Sequence, residues 1–186
     1  MITRTSRKIQ IGVMGSAADL NYSRALEKTA ERVGFLIAQK KALLIFGAEK
    51  DYDSLSTAAC RGAKKAGGTT IGITYGKELE IFEKKNVDAV IASGMERGGG
   101  REFALVLSCD GIIAISGGSG TLTEIAIAYQ ANIPIVVIDQ SGGWSEKLAG
   151  TYLDERKRVK IEVAKDPEEA VDKIFSLLKQ KNDGKK

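Results

Sequence analysis

Three runs in this chain are short and apolar throughout: Ala42-Leu43-Leu44-Ile45-Phe46, Gly111-Ile112-Ile113-Ala114-Ile115 and Ile135-Val136-Val137-Ile138. A strand with one wet face alternates apolar and polar residues; these runs do not. They predict strands buried on both faces, as in a parallel sheet with helices above and below. Ile9–Met14, Thr69–Ile73 and Ala89–Ala92 read as further strands, and Val159–Val163 alternates like a half-exposed edge strand. Helical patterns lie between them. Asn21 or Ser23 can cap a helix running to about Lys40, with Leu26, Ala30, Val33 and Ile37 as its inner face. A second helix runs from about Ser54 to Ala66 and stops at Gly67-Gly68. Others cover Phe103–Cys109, Leu122–Tyr129 and, briefly, Ser145–Ala149. Lys77–Lys85 reads as a short helix or an ordered loop. Asp166-Pro167-Glu168-Glu169 starts the last helix with an aspartate cap, a proline at the first position and a glutamate at the third.

Strands alternating with helices across the whole length predict an α/β, Rossmann-like, doubly wound domain. Its sheet is expected to be mostly parallel, with six to seven strands and helices on both faces. One domain covers residues 1–186, with 1–8 and 181–186 as flexible tails. Glycine-rich turns follow strands one, two, four, five and six. In such sheets ligands bind beyond the carboxyl ends of the strands, where the strand order reverses. An order of 3-2-1-4-5-6 would put strands one and four beside that crevice.

Composition removes several classes of chemistry. Histidine is absent, which excludes serine–histidine and cysteine–histidine catalysis. With only Cys60 and Cys109, far apart, it also argues against a zinc site. Acid–base work falls to carboxylates, lysine, tyrosine or water. The net charge of +4 sits in the ends; without them the body holds 21 basic and 23 acidic residues. That argues against a nucleic-acid-binding face. No apolar run reaches membrane-span length and the first residues lack a signal-peptide core, so a cytoplasmic location with reduced thiols is expected.

The stretch Ser116-Gly117-Gly118-Ser119-Gly120-Thr121-Leu122-Thr123-Glu124 joins the fifth strand to a helix. Glycines allow a tight turn and close approach of a ligand to the backbone. The first helix amides have no internal partner, and the helix dipole adds positive potential at the same place. Ser119 and Thr121 can add hydroxyl donors. On its residues alone the stretch reads as a site for an anion; the alternative is a tight strand-to-helix turn that binds nothing, with Glu124 as an ordinary first-turn acid. Glu124, about one turn further, would repel a phosphate in contact and is better aimed at what the phosphate carries. Gly15-Ser16, at the end of the first strand, does not continue as the G-x-G-x-x-G fingerprint, which disfavours an ordinary NAD site.

The motif resembles the phosphoribohydrolases named Lonely Guy, whose members were often labelled lysine decarboxylases. Their fingerprint is an arginine at a helix start followed by P-G-G-x-G-T-x-x-E. Gly117-Gly118-Ser119-Gly120-Thr121-Leu122-Thr123-Glu124 matches the second part, and the arginine falls 23 positions before the glutamate, at Arg101. The resemblance spans the first six strands and is nearest to a short branch that also resembles molybdenum-cofactor carrier proteins. Ser116 stands in place of proline, Glu102 in place of lysine, and Phe46-Gly47-Ala48 in place of a glycine triplet. Gly98-Gly99-Gly100 are arranged as an insertion between Met95 and Arg101.

The resemblance implies hydrolysis of the N-glycosidic bond of a nucleoside 5′-monophosphate, releasing a base and ribose 5-phosphate. Gly15, Ser16, Gly117, Gly118, Ser119, Gly120 and Thr121 would hold the nucleotide, chiefly its phosphate. Glu124 and Arg101 would be the catalytic pair: Glu124 would sit by the ribose, and Arg101 would help bind the nucleotide and stabilise the leaving base or the transition-state geometry, with Arg97 as its rival. No cofactor and no metal are expected, and the protein would be a homo-oligomer, dimer or higher. The alternative is a carrier of a phosphorylated ligand, nucleotide or molybdenum cofactor, that performs no chemistry. Asp53 and Asp139 lie near strand ends but suit solvated loops. Tyr129 and Trp144 suit packing or an interface, and Ile125, Ile127 and Tyr129 fit either an oligomer interface or the core.

Overall fold

The computed structural model describes residues 7–96 and 100–183. In chain order the elements are β1 (Gln10–Gly15), α1 (Arg24–Gln39), β2 (Leu43–Gly47), α2 (Leu55–Lys65), β3 (Thr69–Thr74), β4 (Ala89–Ala92), α3 (Arg101–Leu107), β5 (Gly111–Ile115), α4 (Ser119–Gln130), β6 (Ile135–Ile138), α5 (Gly143–Lys147), β7 (Ile161–Ala164) and α6 (Pro167–Asp183). The seven strands form one sheet in the order β4-β3-β2-β1-β5-β6-β7. Every neighbouring pair is parallel. This is the Rossmann-like α/β architecture with helices on both faces.

The apolar runs are buried because both faces of the sheet are covered. In β5, Ile113 and Ile115 join the core under α1, α2 and α6, while Ile112 and Ala114 join the core under α3 and α4. Ile125, Ile127 and Tyr129 of α4 are buried in this second core, so they serve packing within the chain. Tyr129 also donates its hydroxyl to Asp154 at 2.6 Å. The helix starts follow the capping residues. Ser23 Oγ accepts the Leu26 amide at 3.2 Å, Ser54 Oγ accepts that of Thr57 at 3.0 Å, and Asp166 accepts that of Glu169 at 2.8 Å.

One detail differs from the sequence reading. The fourth strand does not cross to the far side of β1. β4 adds to the outer edge of β3, with Ile71 opposite Ala89, and β5 pairs with β1, with Val13 opposite Ile113. β4 is short and largely exposed, as an edge strand can be, and the chain turns back only after it. The crevice therefore opens between β1 and β5. The segment 77–85 contains no helix; it is an ordered loop pinned by buried Ile81 and by the Phe82 amide on Glu49 O at 2.8 Å. At the ends, the expected tails overlap residues 1–6 and 184–186, outside the described set. Within it, Arg7 pairs with Asp110 at 2.5 Å and α6 continues to Asp183. Among the described residues no helix is long and apolar enough to cross a membrane.

Candidate functional site

β5 ends at Ile115, and the chain then takes two left-handed steps, Ser116 at φ 57° and Gly117 at φ 102°. Gly118 is extended and precedes α4, whose first backbone bond runs from Leu122 to Gly118 O at 3.0 Å. The amides of Ser119, Gly120 and Thr121 make no hydrogen bond with any described residue. Thr121 is buried, and its hydroxyl likewise has no described partner. First-turn amides of a helix have no internal partner, so these donors, on residues that line the crevice, can take an acceptor there.

The turn is held from behind. Ser16 Oγ accepts the Gly117 amide at 2.9 Å and lies 3.0 Å from Ser116 Oγ. Ser141 Oγ accepts the Ser116 amide at 2.9 Å, and the Trp144 and Ser145 amides bond Gly117 O and Ser116 O, each at 3.0 Å. Gly15 lies between the start of α2 and the end of β5. A Cβ there would stand 2.8 Å from Leu55 Cβ and 2.9 Å from Ile115 O, so no side chain fits.

Arg101 opens α3 and reaches into the same crevice with a side chain 5% exposed. Its Nη2 bonds Glu49 Oε1 at 2.9 Å and the Tyr75 hydroxyl, and the guanidinium lies over the Tyr75 ring, 4.1 Å from its centre. Tyr75 in turn donates to Glu102 at 2.9 Å. Glu102 and Glu124 complete the set, 3.8 Å and 4.0 Å from the guanidinium nitrogens. A side chain at position 47 would occupy the place of this guanidinium, which is why glycine ends β2. Burial works against the charge on Arg101, but Tyr75, Glu124 and Glu49 outweigh it and raise its pKa.

Glu124 is buried, and its carboxylate makes no hydrogen bond with any described residue. Burial pushes it up to about 7; Arg101 opposes this, while Glu102 and Glu49 add to it. A carboxyl poised near neutral pH can hold or release a proton under working conditions. Its 4.0 Å ion pair is weak because Arg101 shares its charge among three carboxylates.

A cleft of about 210 Å³ lies at this carboxyl edge of the sheet. Gly15, Arg101, Gly118, Ser119, Gly120, Thr121 and Glu124 all line it. Ser16 and Gly117 stand behind the wall and shape it. Arg97 falls outside the described residues. Asp53 is engaged by the Ser54 amide and by Arg61, and Asp139 by the Gln140 amide. Sequence reasoning missed Glu49, Tyr75, Ser56 and Asp19, which also line the cleft. Glu49 and Tyr75 lie just beyond the carboxyl ends of β2 and β3, and that position was the available signal.

The profile of the SLOG cluster4 family matches residues 8–171. The chain belongs to that family. An uncharacterised protein of Archaeoglobus fulgidus is 35% identical over 122 residues, 66% of this chain and 74% of that protein. The molybdenum cofactor binding protein of Rippkaea orientalis superposes with a TM-score of 0.78 at 31% identity, covering 94% of this chain and 99% of that one. The molybdenum cofactor carrier protein of Chlamydomonas reinhardtii gives 0.74 at 30% identity, covering 92% and 99%.

The departures of this SLOG chain from the phosphoribohydrolase fingerprint now have physical reasons. Proline is fixed near φ −65° and could not adopt the φ of 57° at Ser116. Glu102, where lysine is usual, is buried and takes the Tyr75 hydroxyl. Gly100, the last of the added glycines, precedes α3 at φ 128°, a backbone open to glycine.

Proposed function

We propose that this SLOG protein binds a nucleoside 5′-monophosphate or a close phosphorylated relative and hydrolyses its N-glycosidic bond. One observation carries the reading: a buried carboxylate held near neutrality, without hydrogen bonds to any described residue, sits one turn from a helix start whose amides find no partner among the described residues. The phosphate would lie on Ser119, Gly120 and Thr121, with Gly15 and Gly118 giving it room. Glu124 would face the ribose, stabilise the developing oxocarbenium charge and take a proton from the attacking water. Arg101, fixed by Glu49 and Tyr75, would hold Glu124 in place and bind the nucleotide. At about 210 Å³ the cleft is below the ~300–1,000 Å³ of a site that encloses a whole drug-sized ligand. It would enclose the phosphate and sugar, leaving the base across its mouth. Two buried, unpaired thiols, Cys60 and Cys109, suit the cytoplasm. A homodimer would form through Phe103 and Leu107, one turn apart on α3 and both more than half exposed.

A second reading is favoured by the likeness to molybdenum cofactor binding and carrier proteins over more than nine-tenths of the chain. The same turn would then hold the phosphate of a carried ligand, with no reaction. Incubation with a panel of nucleoside monophosphates, with chromatography for free base, separates the two. Hydrolysis predicts base release that Glu124→Gln lowers by about 10²–10⁴-fold. Binding without release from any nucleotide would favour the carrier.

A further inference from the structure

We propose that the cleft holds a second anionic group at the start of α2, so that its ligand carries two phosphoryl groups in series, as a nucleoside diphosphate does. The inference rests on the reading of the α4 turn as a phosphate site and extends it. Two helices of full length, α2 with 11 residues and α4 with 12, begin at this one cleft. Ser16 fastens both: its carbonyl accepts the Leu55 amide at 3.0 Å, and its hydroxyl accepts the Gly117 amide at 2.9 Å. One residue thus anchors both helix starts at the same cleft.

The start of α2 is not fully capped. Ser54 Oγ accepts the Thr57 amide at 3.0 Å and lies 2.9 Å from Thr57 Oγ1, and Ser54 O takes the Ala58 amide. Ser56 is left over. It is 6% exposed and lines the cleft, yet neither its amide nor its hydroxyl makes a hydrogen bond with any described residue. A largely buried residue at a helix start, with both donors idle among the described residues, offers a place for an acceptor. The carboxylates on the rest of the wall, Asp19, Glu49 and Glu124, exclude anions there and accept from sugar hydroxyls instead. Two phosphoryl groups at the helix starts and a sugar beside the carboxylates fit this distribution.

The test is calorimetric titration of the full chain with the mono- and diphosphates of adenosine, guanosine, cytidine and uridine. Ser56→Ala removes the hydroxyl at the α2 start without adding charge and keeps a good helix former there; a thermal melt checks the fold. Wild type is expected to bind the best diphosphate at least ~10-fold more tightly than its monophosphate, the worth of one charge-assisted bond. Ser56→Ala should shrink that gain and leave monophosphate affinity within about twofold. Equal wild-type affinities, or an equal loss for both ligands in Ser56→Ala, would overturn the second position alone. If wild type binds no nucleotide of either kind, the phosphate reading of α4 falls as well.

Discussion

Glu124 is held in a state that costs the fold something. Its carboxyl is lifted from the ordinary 4.5 to about 7, mainly by burial. Between those values the folded chain keeps a proton that the unfolded chain releases. Stability contributed by this group is therefore complete below pH 4.5 and is lost as pH rises through about 7. The slope is up to ~1.4 kcal/mol per pH unit in that window. Glu124→Gln has no such loss, so urea unfolding should find the variant gaining on wild type between pH 5 and pH 8. A constant difference across that range would mean the carboxyl is not raised. Arg101 carries the opposite risk. Arg101→Ala would leave Glu49, Glu102 and Glu124 without their shared cation, and removing one partner of a buried pair costs ~3–5 kcal/mol. Thermal denaturation should show a clear fall in Tm, and an unchanged Tm would show that these carboxylates do not depend on Arg101.

The β5–α4 turn sets its backbone before any ligand arrives. Ser116→Pro, which restores the fingerprint residue, should destabilise the chain by ~2 kcal/mol or more. It forces φ away from 57° and deletes the amide bond to Ser141. Ser116→Gly keeps both the dihedral angle and the amide and should be far milder. Equal effects in denaturant titrations would show that the left-handed step is unimportant. This turn was legible in the sequence because its parts are contiguous: apolar strand, glycines, hydroxyl residues, glutamate. The caps Ser23 (with Asn21 as its alternative) and Asp166 were legible for the same reason. The Arg101 cage was not, since Glu49 and Tyr75 come from 52 and 26 residues away and meet it only through the strand order. On α3, Phe103→Asp should convert a homodimer to monomer by sedimentation. An unaltered dimer would move the interface elsewhere, and a monomeric wild type would remove it.

At the scale of the whole molecule, the sheet brings residues distant in sequence to one carboxyl edge. Alternation of strands and helices predicted the layers, but a run as short as Ala89-Val90-Ile91-Ala92 carries no sign of which neighbour it will join. Its place beside β3 moved the crevice from strands one and four to strands one and five, while Gly15, Arg101 and the Gly118–Thr121 turn still meet there. On the proposed reading, what unites the cleft is a phosphate at the start of α4, an anchor that neither base nor ribose could replace. Charge-assisted bonds to that phosphate are worth roughly 1.5–3 kcal/mol each. The direct measurement is calorimetric comparison of a nucleoside with its 5′-monophosphate, using the base that binds best, in wild type and Thr121→Val. The monophosphate should bind wild type at least ~10²-fold more tightly, from one to two such bonds, and Thr121→Val should shrink that advantage without touching the nucleoside. Equal affinities for the two ligands in wild type would mean that the glycine-rich turn holds no phosphate.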